Sequence, residues 1–225
     1  VNGRDNLSIS EKVDLDVEND YIVFTFSPDE NDDLEPVAHY KMVHNVMKIK
    51  PPVGCSLDSI HPDHLALIAM LAVHPFTKGE LVFPNPISKR FFDATKIISK
   101  YTCSPVDESI EPYYAIGDSF PGLAYSGGAD SSAALAVMPG HTKPLFMERP
   151  DRKNSLYDKT AALKSCSKLK ALGYDVFTIE CDVEYLRHPI GFPTDLANAI
   201  PAILMAGHLN LDSISIHHLF FVNSS

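Results

Sequence analysis

The chain has no CxxC pair: its four cysteines, Cys55, Cys103, Cys166 and Cys181, lie far apart. That spacing excludes a zinc knuckle or a dithiol sulfur carrier, and reduced, partly buried thiols of a cytoplasmic protein are the expectation. Long apolar runs are missing too. Nothing approaches the roughly 18 uninterrupted apolar residues of a membrane span, and no basic stretch leads into an apolar h-region, so neither a membrane partner nor export is expected. Positive charge is scarce, with 19 Lys and Arg against 29 Asp and Glu for a formal net charge of −10. That balance speaks against a nucleic-acid partner. Gly/Ser linkers, internal repeats and low-complexity tracts are absent as well.

What is present is globular: 45% hydrophobic and 21% charged residues over 225 positions, enough for one large or two small domains with a core. The chain begins at Val1 and stops at Ser225 just after a strand-like run, which reads as a fragment truncated at its C-terminus. Lys12 to Val17 alternates charged and apolar residues, and Tyr21 to Phe26 is β-branched and aromatic, predicting a hairpin. The acidic stretch Asp29–Glu35 reads as a solvated loop. Val37 to Ile49 leans toward strand before Pro51-Pro52-Val53-Gly54 breaks it. Pro62 suits the first position of a helix running through Leu65 to Val73, and Ser88 to Ser99 has helical spacing of Phe91, Phe92, Ala94, Ile97 and Ile98. A boundary is expected near Glu108–Asp118, dividing an α+β domain of residues 1–115 from a second domain of residues 116–225.

From Gly122 onward strand, loop and helix alternate. Strands are expected at Leu123–Tyr125, Pro144–Met147, Val176–Ile179 and Ser213–His217. Helices are expected at Ser131–Met138, at about 156–172, and at about 194–209 with a bend at Pro201. Such alternation predicts an α/β fold, a doubly wound parallel sheet of Rossmann-like type whose ligand lies beyond the carboxyl ends of the strands. Those ends are Ser126, Met147 to Arg149, Glu180 to Asp182 and His217-His218.

The first strand end carries the chemistry. In Tyr125-Ser126-Gly127-Gly128-Ala129-Asp130-Ser131-Ser132, the glycines let the backbone turn tightly and bring N–H groups against a phosphate, while the new helix aims its positive end at the same point. Ser126, Ser131 and Ser132 add hydroxyls. Asp130 would raise the local negative charge unless a cation such as Mg²⁺ lay between it and the phosphates. No lysine occurs from Ser126 to Met138, which disfavours Walker-type kinase or GTPase chemistry.

Ser126-Gly127-Gly128-Ala129-Asp130-Ser131 resembles the SGGxDS signature of the PP-loop ATP pyrophosphatases, a family that includes GMP, NAD and asparagine synthetases and 7-cyano-7-deazaguanine synthase. The resemblance spans residues 120 to 220; residues 1 to 115 match nothing recognised. It implies ATP and Mg²⁺ as cofactors, with Ser126, Gly127, Gly128, Ser131 and Ser132 on the pyrophosphate portion and Asp130 beside the metal. It implies adenine against the main chain at Phe146 and Met147, and Arg149 near the phosphates, followed by Arg152 and Lys153. Asp130 and Ser126 are the catalytic candidates. The implied reaction is adenylylation of a carbonyl or carboxyl oxygen of a small-molecule substrate with release of pyrophosphate, completed by ammonia or another nucleophile, as in a ligase or amidotransferase. No glutaminase signature is visible, so ammonia would be free or come from a partner subunit; a homo-oligomer is left open.

The fourth strand departs from the family pattern. Ser215-Ile216-His217-His218-Leu219-Phe220-Phe221-Val222-Asn223 lacks the acid that many relatives carry there. Two rival readings follow: a nucleotide-binding module without turnover, and a serine hydrolase with Ser126 as nucleophile and His217 or His218 as base. The hydrolase reading gives Asp130 and Ser131 no task. His61 with His64, and His39 with His44, could pair on a metal but lack a third ligand. Glu180, Cys181, Asp182 and Glu184 are candidates for a substrate or metal role, and the Arg187–Pro193 loop for shaping a pocket.

Overall fold

The computed structural model describes residues 11–151 and 158–216. The chain opens with the antiparallel hairpin of β1 (Glu11–Glu18) and β2 (Tyr21–Ser27). Asn19 and Asp20 both take positive φ, 49° and 69°, which a two-residue hairpin turn needs if its twist is to match the strands. Short β3 (Lys41–Met42) and β4 (Val46–Lys50) follow, then α1 (Pro62–Val73), whose first turn is entered through Pro62 and capped by His61 Nδ1 accepting from the Asp63 amide.

Next come β5 (Gly79–Ser88), α2 (Lys89–Ile98) and β6 (Tyr101–Asp107). Ser88 caps α2 by accepting from the Phe91 amide, and the buried carboxylate of Asp63 in turn takes hydrogen bonds from the Ser88 amide and hydroxyl. β5 and β6 were not foreseen. Pro84 and Pro86 sit in β5 where its pairing with β6 lapses between Val82 and Ile87, and Pro105 faces the same gap from the edge strand. Prolines have no amide to donate, so they are tolerated only at such interruptions and edges.

The second half alternates as expected: β7 (Phe120–Tyr125), α3 (Ala129–Val137), β8 (Lys143–Glu148), α4 (Thr160–Ala171), β9 (Phe177–Cys181), β10 (Arg187–His188), α5 (Ile200–Met205) and β11 (Leu211–Ile216). The expected helix of about residues 194–209 is shortened. Pro201 stands in the first turn of α5, and a 3-10 turn, Ala197–Ala199, precedes it. His217, Arg152, Lys153 and the first residues of the expected helix near 156 lie outside the described residues.

A mixed sheet of 9 strands forms the centre, in the order β11-β7-β8-β9-β4-β2-β1-β5-β6. β11, β7, β8 and β9 run parallel to one another, as do β1, β5 and β6, while β9–β4, β4–β2 and β2–β1 are antiparallel. The fold is therefore α/β with a mostly parallel sheet. Alternate residues of β7 and β8 feed different cores. Leu123, Tyr125 and Phe146 pack with Leu135 of α3 and Ala162 and Cys166 of α4, whereas Ala124, Leu145 and Met147 join the larger core with α1 and α5. Helices thus cover both faces of the parallel strands. Strands on either side of residues 108–118 belong to this one sheet, joined through Ile49↔Cys181 and Lys50↔Glu180. Among the described residues no helix is long and apolar enough to cross a membrane.

Candidate functional site

Strand order reverses between β7 and β11: the connection after β7 leads outward to β8 and β9, and the chain then returns to place β11 on the opposite side of β7. Such a reversal leaves a crevice beyond the carboxyl end of β7. Ser126-Gly127-Gly128 lies there, between β7 and the first turn of α3.

The local geometry requires glycine. Gly127 has φ +79°, and a Cβ built on it would stand 2.7 Å from both Cα and Cβ of Ala162 in α4. Both the left-handed backbone and the close helix approach therefore exclude a side chain. Gly128, at φ −85°, caps α3 without a side-chain hydrogen bond. Inside the loop Ser126 Oγ accepts from the Gly128 amide at 3.3 Å and lies 3.0 Å from Ser131 Oγ. Ser131 is buried and its hydroxyl also donates to the Gly128 carbonyl, so its side chain braces the loop from within. Ser132 Oγ donates to the same carbonyl and meets Tyr125 Oη, which reaches Ser165 at 2.6 Å. Ser126, Gly128 and Ala129 are exposed, and Asp130 stands half-buried in the first turn of α3, where a carboxylate also complements the helix dipole.

Beside the loop opens a cleft of about 160 Å³ lined by Ala124, Tyr125, Ser126, Phe146, Met147, Arg149, Phe192 and Asn198. Phe146, Met147 and Arg149 come from the end of β8 and thus share a wall with Ser126. Arg149 is ion-paired to Glu184, which is 1% exposed, and its guanidinium carbon lies 5.9 Å from the centre of the Phe192 ring. Its charge is matched from below. Lys159 closes the segment after β8, with Nζ 2.8 Å from Glu148 and 3.3 Å from Asp151 while donating to the Arg149 carbonyl. The Glu148 hydrogen bond, the larger influence, raises the Lys159 pKa above its ordinary value.

No family model, curated protein or solved structure matches this chain.

The other acids of the third strand end serve the seam of the sheet. Glu180 accepts from Tyr21 Oη at 2.6 Å, and Asp182 Oδ1 accepts from the Lys48 amide at 2.7 Å. Burial drives the Cys181 thiol pKa up. His61 and His64 have ring centres 5.6 Å apart, but no group of three or more His, Cys, Asp or Glu among the described residues could hold a metal ion by itself. A phosphate-bound Mg²⁺ needs less protein, since it keeps waters and binds through one or two carboxylates plus the phosphates. Asp130 and the open cradle fit that requirement. His217 and His218 lie outside the described residues. Sequence reasoning singled out neither Asn198 nor the Glu184–Arg149 pair; the signal available for Asn198 was Pro201, which starts α5 late and leaves Asn198 in the turn before it.

Proposed function

We propose that this chain binds ATP with Mg²⁺ and adenylylates an oxygen of a small-molecule substrate, releasing pyrophosphate, as the PP-loop resemblance implies. One observation carries the reading: a strand-to-helix junction at the reversal of strand order whose Gly127 admits no Cβ, with Asp130 one step into the helix. Backbone amides in the first turn of α3, at Ala129 and Asp130, would hold the phosphates, with Ser126 Oγ at the rim. Asp130 would hold Mg²⁺, which supplies charge neutralisation for the departing pyrophosphate. Phe146, Met147 and Phe192 would enclose the base and exclude water on that side. A second nucleophile, ammonia or an amine, would then displace AMP.

Binding without turnover is the second reading, and the Arg149–Glu184 pair favours it, because Arg149 brings little uncompensated positive charge toward a transition state. The hydrolase reading has less support: Ser126 Oγ is engaged by Ser131 and Gly128, and the positive φ of the loop sits on Gly127 instead of the serine. The test is calorimetric titration with ATP and MgCl₂, alongside a pyrophosphate-release assay in the presence of candidate acids and ammonia. Magnesium-dependent binding that Asp130→Ala weakens at least tenfold supports the nucleotide site. Pyrophosphate release that the same variant abolishes supports turnover. No binding by the unaltered chain would sink both readings, and labelling of Ser126 by a fluorophosphonate would favour the hydrolase.

A further inference from the structure

One polar group in the lining of the cleft has no hydrogen-bond partner among the described residues. Asn198 belongs to the 3-10 turn Ala197–Ala199 and lines the cleft with Tyr125, Met147 and Phe192. Its Oδ1 is buried and, among the described residues, has no hydrogen-bond partner. Buried polar atoms are nearly always paired, and one left unpaired in a cleft wall is relieved when a ligand supplies the complement.

The surroundings restrict what that ligand group can be. Phe146, Met147 and Phe192 give apolar walls, and Arg149, the only cation among the described residues that line the cleft, is matched by buried Glu184. An uncharged, flat ring suits such a site. A carboxamide offers an acceptor and a donor side by side, which is the complement of a ring that carries an amino group next to a ring nitrogen, as adenine does. Guanine presents two adjacent acceptors on its N7/O6 edge and is matched by Arg or Lys. Arg149, the residue placed to do that, is committed to Glu184.

We infer that Asn198 is the specificity-determining residue of the cleft and reads the amino edge of adenine. The inference rests on the nucleotide reading above and adds to it a side chain that selects the base. Its test compares ATP with purine riboside triphosphate, which lacks only the 6-amino group, by calorimetric titration in MgCl₂ against the unaltered chain and Asn198→Leu. The unaltered chain is expected to prefer ATP by about tenfold or more. Asn198→Leu is expected to lose more affinity for ATP than for the analogue, which keeps the ring nitrogen but has no amino group, so that the preference for ATP shrinks. The ligand-side comparison needs no substitution, so it holds even if the variant folds poorly. Equal affinity of the unaltered chain for the two nucleotides, or an equal loss of both in Asn198→Leu, overturns the role of Asn198 and leaves the ATP site standing. Failure of the unaltered chain to bind either nucleotide overturns the site itself, and the role of Asn198 with it.

Discussion

Two neighbouring glycines carry different burdens, and substitutions can separate them. Gly127→Ala forces an alanine into positive φ and drives its Cβ into Ala162, so a loss of about 2–4 kcal/mol of stability is expected in urea unfolding. Gly128 has negative φ, and among the described residues a Cβ there would meet only Ser126 Oγ, at 3.4 Å. Gly128→Ala should therefore unfold within about 0.5 kcal/mol of the unaltered chain. Its new methyl group would nevertheless stand beside the amides proposed to hold phosphate, and should weaken ATP binding at least tenfold. A normal ATP affinity in Gly128→Ala would mean that the amides at this junction do not hold phosphate. Glu184 poses a third case. Removing its carboxylate in Glu184→Ala takes the Glu184 counter-charge from the Arg149 side chain, which is 25% exposed, and breaking such a pair costs about 3 kcal/mol. Replacing both partners by leucine should cost much less, which a double-mutant cycle would read directly.

Among the elements, α1 links stability to pH through His64. Its ring is 4.8 Å from that of Tyr113, its Nδ1 is buried, and burial first, then the neighbouring His61, push its pKa down to about 4, with Asp63 opposing. The folded chain thus resists the proton that the unfolded chain accepts near 6.5. Stability from this group is fully present above pH 6.5 and is lost as pH falls toward 4, by about 3 kcal/mol in all. His74, also shifted down by burial, acts with the same sign. The lowered carboxyls Asp33, Asp107, Asp158 and Asp212 contribute only at more acid pH. Urea midpoints should therefore fall between pH 7 and pH 4.5, and His64→Phe should flatten that slope; an unchanged slope would remove His64 from the account. The same scale shows what the sequence could reveal. The hairpin, α1, α2 and the strand–helix alternation after Gly122 were legible because the apolar pattern is local there, with Pro62 and Ser88 marking the starts of α1 and α2. β5 and β6 were not, because Pro84, Pro86 and Pro105 signal interruption, and only the partner strand shows that the ladder resumes on either side. The glycine turn between β7 and α3 was legible as a local motif, whereas Asn198 and the Glu184–Arg149 pair depend on contacts between segments distant in sequence.

For the whole molecule, the question is whether residues 11–115 and 116–216 fold as separate units, as the stretch near 108–118, with Pro112, Gly117 and several acids, suggests. The contacts between them are those of a core. β4 from the first half pairs with β9 from the second, Tyr21 reaches Glu180, Tyr40 donates to the Pro193 carbonyl and Thr194 to that of Leu71, and β3 pairs with β10. Phe24, Met47 and Ile49 share one apolar cluster with Ile179, Cys181 and Ile200. Separating the halves would uncover that cluster and leave two sheet edges unpaired, which marginal stability does not tolerate. Unfolding is therefore expected as a single transition. Native-state hydrogen exchange should give the amides of β2 and those of β7 the same largest opening free energy, and β2 should lose protection when the chain is cut at residue 115. Two distinct opening energies, with β2 still protected in the isolated first half, would show that the shared sheet is a docking of two independent domains. The crevice beyond β7 would then owe nothing to the N-terminal strands.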